Sequence, residues 1–302
     1  MLDILKKISG KIGFEIVVAH VNHGLRENAV LDEEFVKKFC AKLNVPVFVK
    51  HANVAEIAKQ QKRGLEETGR FVRYEFFDEV MLQSGANKIA IAHNSNDNAE
   101  TIIMNILRGT GTKGLCGIEK KSGKYIRPLI ETRRDEIKEY LQANSIEARH
   151  DESNDDNTYT RNKVRNVVLP YIEKEFNPNI ITSLERMSEI IKEQEEFLQN
   201  QTAGVYEELR IEEINVGADS EYNNPEIILD LKKFNAEEKI IQKRIILYSV
   251  NKIFGTTKGL EKIHIDDIIK LCNNNIGNKY LTPNKNLKIV IQKKQLRIMA
   301  VK

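Results

Sequence analysis

The chain has 302 residues, 41% of them hydrophobic and 30% charged, with a net charge of +3. That length holds one large or two medium domains, each able to bury a core, and the composition excludes both a disordered and a fibrous chain. No apolar run approaches the roughly 18 residues needed to cross a bilayer, and the amphipathic start MLDILKKISGKIGFEIVV lacks the pattern of an export signal, so no membrane partner is expected.

Three short β-branched runs, EIVVAHV (15–21), VPVFVKH (45–51) and KIAIAH (88–93), are separated by helical pattern. Strands alternating with helices predict an α/β domain with a parallel sheet covered on both faces. Helices are predicted from Leu31 to Leu43, across GLEETGRFVRYEFFDEVMLQSG (64–85), and from about Asp97 onward. In this last helix Ala99, Ile102, Ile103 and Ile106 form one apolar face, expected to pack on the sheet. Thr132, followed three residues later by Asp135, predicts a capping box opening RRDEIKEYLQAN.

Beyond Pro170 the pattern changes to a long helix, TSLERMSEIIKEQEEFLQNQ (182–201), with no strand beside it. Helices over 235–254 and 264–274 follow, and two alternating segments, NLKIVIQ and QLRIMAV, predict a closing hairpin turning at Lys293 and Lys294. After Asp267 no acidic residue occurs, while Lys270, Lys279, Lys285, Lys288, Lys293, Lys294, Arg297 and Lys302 accumulate, a candidate phosphate-backbone footprint. The expected organisation is an α/β domain over 1–170, a helical linker over 171–205, and a mainly helical C-terminal domain over 206–302 that ends in the hairpin. Cys40, Cys116 and Cys272 are odd in number and far apart, which argues against a disulfide framework or a cysteine metal site and fits a reducing, cytoplasmic setting.

RGTGTKG (108–114) contains G-x-G-x-x-G, but that fingerprint binds a dinucleotide only where it follows a strand and opens a helix. Here the glycines follow a helix, and Gly109 reads as its C-cap. AHNSNDNAET is the stronger signal. Asp97 and Glu100 share a face at the positive end of a helix dipole, beside His93 at the carboxyl end of a strand, which is the ligand edge of open α/β sheets. Ordinary capping by Ser95, Asn96 and Asp97 explains the stretch equally well. Arg161 and Arg165 share one helical face, suited to phosphate or carboxylate as well as to a surface salt-bridge helix, and HVNHGLR (20–26) puts two histidines, Asn22 and Arg26 past a strand end.

Taken in order, HVNHGLR (20–26), GLEETGRFVRYEFF (64–77), AHNSNDNAETIIMNILRGTGTKGL (92–115), RPLIETRRDEI (127–137) and DESNDDNTYTRNKVR (151–165) resemble the tRNA(Ile)-lysidine synthetases of the PP-loop ATP pyrophosphatase superfamily. The resemblance is nearly continuous from 14 to 170 and looser to 302. It implies an adenine nucleotide alpha hydrolase-like fold, a tRNA-binding C-terminal domain and a homodimer. The implied reaction is adenylation of C2 of the wobble cytidine in a CAU-anticodon isoleucine tRNA, using ATP and Mg2+, followed by attack of free L-lysine.

Position by position, the resemblance places His93, Asp97 and Glu100 at the reaction centre. Asp97 and Glu100 would hold and deprotonate the lysine ammonium, with His93 positioning the reacting groups. Arg161, Asn162 and Arg165 would contact phosphate or tRNA, Arg70 and Arg73 would line the nucleotide or tRNA side, and His20, Asn22 and His23 would face ATP. No metal ligand is assigned. The family's H-H-x-D-D-Q reads His93, Asn94, Ser95, Asn96, Asp97, Asn98, so the three asparagines carry no expected catalytic role. Family members also begin with a strand and an S-G-G-x-D-S phosphate loop. Met1 falls just after the position of that loop, so the chain as written is expected to bind ATP poorly and fold marginally, a misplaced start being the simplest cause. The alternatives are another PP-loop tRNA-modifying enzyme or a tRNA-binding fragment without catalysis.

Overall fold

The computed structural model describes residues 1–24, 29–149, 152–214, 224–274 and 279–301; Arg26, Asp151 and Lys302 of the stretches above lie outside them. The chain forms two compact units, Met1–Glu189 and Ile190–Lys302.

The first unit begins with α1 (Leu2–Ile12), closed by Gly13 at φ 82°. β1 (Val18–Asn22), α2 (Ala29–Lys42) and β2 (Val47–His51) follow, and β1 and β2 pair in parallel with Val18 opposite Val47 and Asn22 opposite His51. Next come α3 (Val54–Gln61), α4 (Leu65–Ser84) and a two-residue β3 (Ile89–Ala90). α5 (Ser95–Leu107), α6 (Thr112–Leu115), β4 (Lys121–Ser122), β5 (Tyr125–Ile126) and α7 (Arg134–Ala143) complete this part. β3 pairs in parallel with β5 and β4 antiparallel with β5, as a sheet separate from β1 and β2. The expected α/β alternation and parallel pairing are therefore present, and the glycines of RGTGTKG do follow a helix, with Gly109 at φ 74°. The cap of α7 differs from expectation: the Glu136 carboxylate accepts the Arg133 N–H at 2.7 Å, one residue later than the Thr132 box. The backbone of Thr132 is used elsewhere, its carbonyl accepting the Ser95 N–H at 3.0 Å.

After a 3-10 turn at Glu152–Asp155, α8 (Thr160–Lys163) runs through a π-turn at Val164–Val168 into α9 (Leu169–Glu175). Pro170 explains the wide turn, since it has no N–H for the carbonyl four residues back. The apolar face of α5 does not pack on the sheet as expected. Ala99 and Ile102, both fully buried, instead meet Val164, Leu169, Ile181 and Leu184, and Ile106 stays 47% exposed. Helices downstream of residue 160 cover that face.

α10 (Ile180–Leu209) passes from the first unit into the second and is longer than its sequence pattern indicates. β6 (Arg210–Ile214), β7 (Glu226–Asp230), α11 (Leu231–Ala236), α12 (Lys239–Phe254), α13 (Lys262–Asn273), β8 (Lys279–Asn284), β9 (Leu287–Gln292) and β10 (Gln295–Ala300) follow. The hairpin is present as β9 and β10, and it lies within a five-stranded antiparallel sheet ordered β6-β7-β10-β9-β8. Its inward residues line up in rows, Leu229 beside Leu296 beside Ile291 and Ile227 beside Ile298 beside Ile289, against Phe234, Ile245, Ile246, Ile268 and Cys272 of the helices.

Lys293 and Lys294 form the two-residue turn with φ 51° and 62°, the primed geometry that favours Asn-Gly. A left-handed conformation costs an ordinary residue about 1–2 kcal/mol. Replacing Lys293→Asn together with Lys294→Gly is thus expected to stabilise the second unit by about 1–2 kcal/mol in urea denaturation.

Candidate active site

β3 ends at Ala90, and the chain bends through His93 into α5. At that bend the Asn94 side chain accepts the Asp97 N–H at 3.0 Å while Asp97 Oδ2 accepts the Asn94 N–H at 3.0 Å, a closed capping box. Asn96 Oδ1 accepts the Arg134 N–H at 2.9 Å and Asn98 Oδ1 the Ile118 N–H at 2.7 Å. Each of the three asparagines thus fixes backbone, which accounts for their presence at a strand-to-helix junction.

Asp97 keeps Oδ1 for other partners. Arg165 Nη2 donates to it at 3.1 Å, with Arg161 Nη2 at 3.7 Å and Arg134 Nη2 at 3.8 Å. Glu100, one turn on, receives Arg165 Nε at 2.6 Å, Arg161 Nε at 2.9 Å and Arg134 Nη2 at 3.4 Å. Its side chain is 1% exposed, against 13% for Asp97, 17% for Arg165, 29% for Arg161 and 32% for Arg134. A carboxylate enclosed this far stays charged only beside cations. Two carboxylates among three guanidiniums leave one positive charge in excess, so the cluster as a whole suits an anion. Burial pulls the Arg165 pKa down, but hydrogen bonds to Glu100 and the field of Asp97 more than reverse this and raise it.

The sequence spacing puts Arg161 and Arg165 on one helical face, and packing of Val164 and Leu169 on Ala99 and Ile102 delivers that face to Glu100. Asn162 and Asn166 pin the preceding loop by donating to the Asp156 and Asn154 carbonyls at 2.8 Å each, and Arg165 Nη1 holds Asn154 Oδ1 at 2.8 Å. Half-buried His93 accepts from Arg127 Nε at 3.2 Å through Nδ1. Burial pushes its pKa down and outweighs the attraction of Asp97.

Sequence reading passed over Arg127 and Arg134, although both stand in RPLIETRRDEI. Arg134 carried a signal: a cation at a helix N-terminus opposes the dipole, which points to carboxylates brought in from elsewhere.

The other expected residues form a second group around the end of β1. Asn22 is buried, its amide donating to Glu33 Oε2 at 3.0 Å and its oxygen accepting the Gly24 N–H at 3.1 Å. His23 meets Arg73 Nη2 at 3.3 Å, and half-buried His20 has its pKa lowered by burial. Arg70 is exposed and lies over the Tyr74 ring, with its charge also felt at His93.

Glu33 binds Lys37 at 2.6 Å, Asn22 and, at 2.8 Å, His51, which together hold its carboxyl down to about 2. A folded pKa of about 2 lies below the ordinary 4.5, so this stabilisation is full above about pH 4.5 and is lost as pH falls toward 2. Wild type is expected to exceed Glu33→Gln by about 1.5–3 kcal/mol at neutral pH, and urea titrations from pH 7 to 3 should show the gap narrowing below pH 4.5.

This is an α/β unit with parallel strand pairs whose charged cluster lies just past the end of β3, the edge at which open α/β sheets bind ligands. The family model described as PP-loop domain matches residues 1–172, more than half of the chain, and the chain belongs to that family. Over 284 residues it is 38% identical to the tRNA(Ile)-lysidine synthase of Caldanaerobacter subterraneus subsp. tengcongensis, covering 94% of this chain and 59% of that protein. The Clostridium acetobutylicum protein of the same name is 41% identical over 286 residues, covering 94% and 60%. That from Clostridioides difficile is 37% identical over 301 residues, covering 99% and 63%. The chain therefore spans about three fifths of the length of these curated relatives. Among solved structures, the U34-tRNA thiolase NcsA from Methanococcus maripaludis, with its iron–sulfur cluster, matches with a TM-score of 0.50 at 21% identity, over 64% of this chain and 68% of that one, a likeness of fold.

Proposed function

We propose that the protein modifies the CAU-anticodon isoleucine tRNA, adenylating C2 of the wobble cytidine with ATP and joining free L-lysine there to give lysidine in the cytoplasm. The names of the similar proteins support this reading, and one observation carries it: two carboxylates and three arginines gathered at the start of α5, on the strand-end edge of the fold. Adenylation makes the C2 oxygen a good leaving group, and guanidiniums stabilise the phosphate charge as it moves. The amine of lysine, with a pKa near 10.4, costs roughly 4–5 kcal/mol to deprotonate at pH 7, so a carboxylate must stand beside it.

Asp97 Oδ1 is the more loosely held acceptor in the cluster, with its arginines at 3.1, 3.7 and 3.8 Å, and enclosed Glu100 supplies the charge that holds the arginines in place. Lysine enters as Arg165 and Arg134 loosen from Asp97, which phosphate oxygens favour by offering them bidentate partners. Arg161, Asn162, Arg70 and Arg73 belong to the tRNA and phosphate side, and His20, Asn22 and His23 to the ATP side, where Asn22 acts through Glu33. A homodimer and a tRNA-binding role for the second unit complete the proposal. Magnesium is a family expectation, and it would be held largely by the ATP phosphates and water with one or two protein carboxylates. The wide separation of Cys40, Cys116 and Cys272 along the chain speaks against a cluster-dependent thiolation. Among the described residues no helix is long and apolar enough to cross a membrane.

In a form that includes the S-G-G-x-D-S phosphate loop, the protein should release pyrophosphate from ATP in the presence of unmodified tRNA and transfer radiolabelled lysine to it, whereas the 302 residues as written should do so weakly. Asp97→Asn should raise the lysine KM at least about tenfold and leave tRNA-dependent pyrophosphate release largely intact. Lysine-independent turnover, or transfer of sulfide in place of lysine, would refute the reading.

A further inference from the structure

We propose that Arg127 is a positioning residue that locks His93 as a neutral imidazole with its proton on Nε2, so that His93 serves the site as a hydrogen-bond donor and not as the base that takes a proton from the amine. The inference deepens the functional reading above and rests on it only for what His93 Nε2 meets.

Arg127 follows directly on β5, the strand paired with β3, and His93 lies three residues beyond β3, so adjacent parallel strands bring the two together across 34 positions of sequence. The guanidinium is held from two sides: Nη1 donates to the Glu119 carbonyl at 2.7 Å and Nε to His93 Nδ1 at 3.2 Å, while the Arg127 N–H is tied to the Lys120 carbonyl at 2.9 Å. A guanidinium has only donors and does not give up its proton in water. Nδ1 must therefore present its lone pair, because a proton there would set N–H against N–H. The single remaining proton of a neutral ring then sits on Nε2.

The surrounding charges agree. Asp97 on α5 favours an imidazolium, whereas Arg127, Arg161 on α8 and Arg70 on α4 oppose it together with burial, and the balance falls on the neutral side. A neutral ring with Nε2–H can donate to a phosphate oxygen or to a carbonyl oxygen gaining negative charge. It cannot accept the ammonium proton at Nδ1, which is occupied, nor at Nε2, which is protonated. In the proposed reaction the N–H bond of the ammonium therefore breaks toward a carboxylate oxygen, and Asp97 Oδ1, with its nearest arginine at 3.1 Å, is held more loosely than Glu100, whose arginines stand at 2.6 and 2.9 Å.

Long-range proton–nitrogen spectra of the full chain labelled with 15N-histidine test this, the His93 signals being assigned with His93→Asn. Wild type should show protonated Nε2 and unprotonated Nδ1, titrating below the free-histidine value of about 6.5. Arg127→Met should mix the tautomers and raise the midpoint by about half a unit or more, and Arg127→Lys, which restores a donor, should return both toward wild type. Should Arg127→Met not fold, Arg127→Gln and Arg127→Lys carry the comparison. A wild-type ring protonated at Nδ1, or tautomer and midpoint unchanged in the folded variants, overturns the proposal. These readouts need no turnover, so failure of the lysidine reading would show in the lysine-transfer assay and leave this result to stand or fall separately.

Discussion

Glu100→Ala is expected to cost the first unit about 3–5 kcal/mol in urea denaturation, the range for removing one member of a buried ion cluster. The large value arises because three guanidiniums, brought from α7, α8 and the π-turn, would be left facing one another with Asp97 as their only carboxylate in the cluster. Glu100→Gln keeps the shape and one acceptor oxygen and should cost less than the alanine. Arg134→Met should cost least within the cluster, since its guanidinium is 32% exposed and 3.4 Å from Glu100. Glu100→Ala combined with Arg165→Met should be less harmful than the sum of the two, because the second change removes a repulsion that the first creates. A loss below about 1 kcal/mol for Glu100→Ala would mean the cluster behaves as a screened surface network.

The second large effect is expected at Gly117, outside every motif. Its φ is 65°, and a Cβ there would lie 2.1 Å from Asn98 Oδ1, the atom that accepts the Ile118 N–H. Gly117→Ala therefore adds about 1–2 kcal/mol of left-handed strain to the loss of a part-buried hydrogen bond worth about 1–3 kcal/mol. The variant should unfold at about 2–5 kcal/mol lower stability. Asn98→Ala, which removes the obstructing oxygen, should make the added methyl at 117 less damaging than in the wild-type background. Equal penalties in the two backgrounds would assign the cost to backbone strain alone.

Much of this molecule follows from local pattern. Period-two alternation in VPVFVKH and NLKIVIQ, the 3.6-residue period of 64–85, and the glycines trailing α5 each specify a conformation through side chains only a few residues apart, and the corresponding elements are present. His93, Asp97 and Glu100 were legible for the same reason, because the junction of a strand and a helix N-terminus is written in one short stretch. Tertiary structure decided what meets them. β6 begins where α10 ends and carries two glutamates in RIEEI, so only its pairing with β7 marks it as a strand. The apolar face of α5 is plain in the sequence, yet its cover of Val164, Leu169, Ile181 and Leu184 comes from helices more than 60 residues away along the chain. Arg127 and Arg134 look like any basic residues until strand pairing and the Ser95 to Thr132 hydrogen bond bring them to His93 and Glu100. A chain encodes each element through neighbours along itself, whereas the charge around a buried carboxylate is set by groups more than 30 residues away, and only the packed fold brings those together.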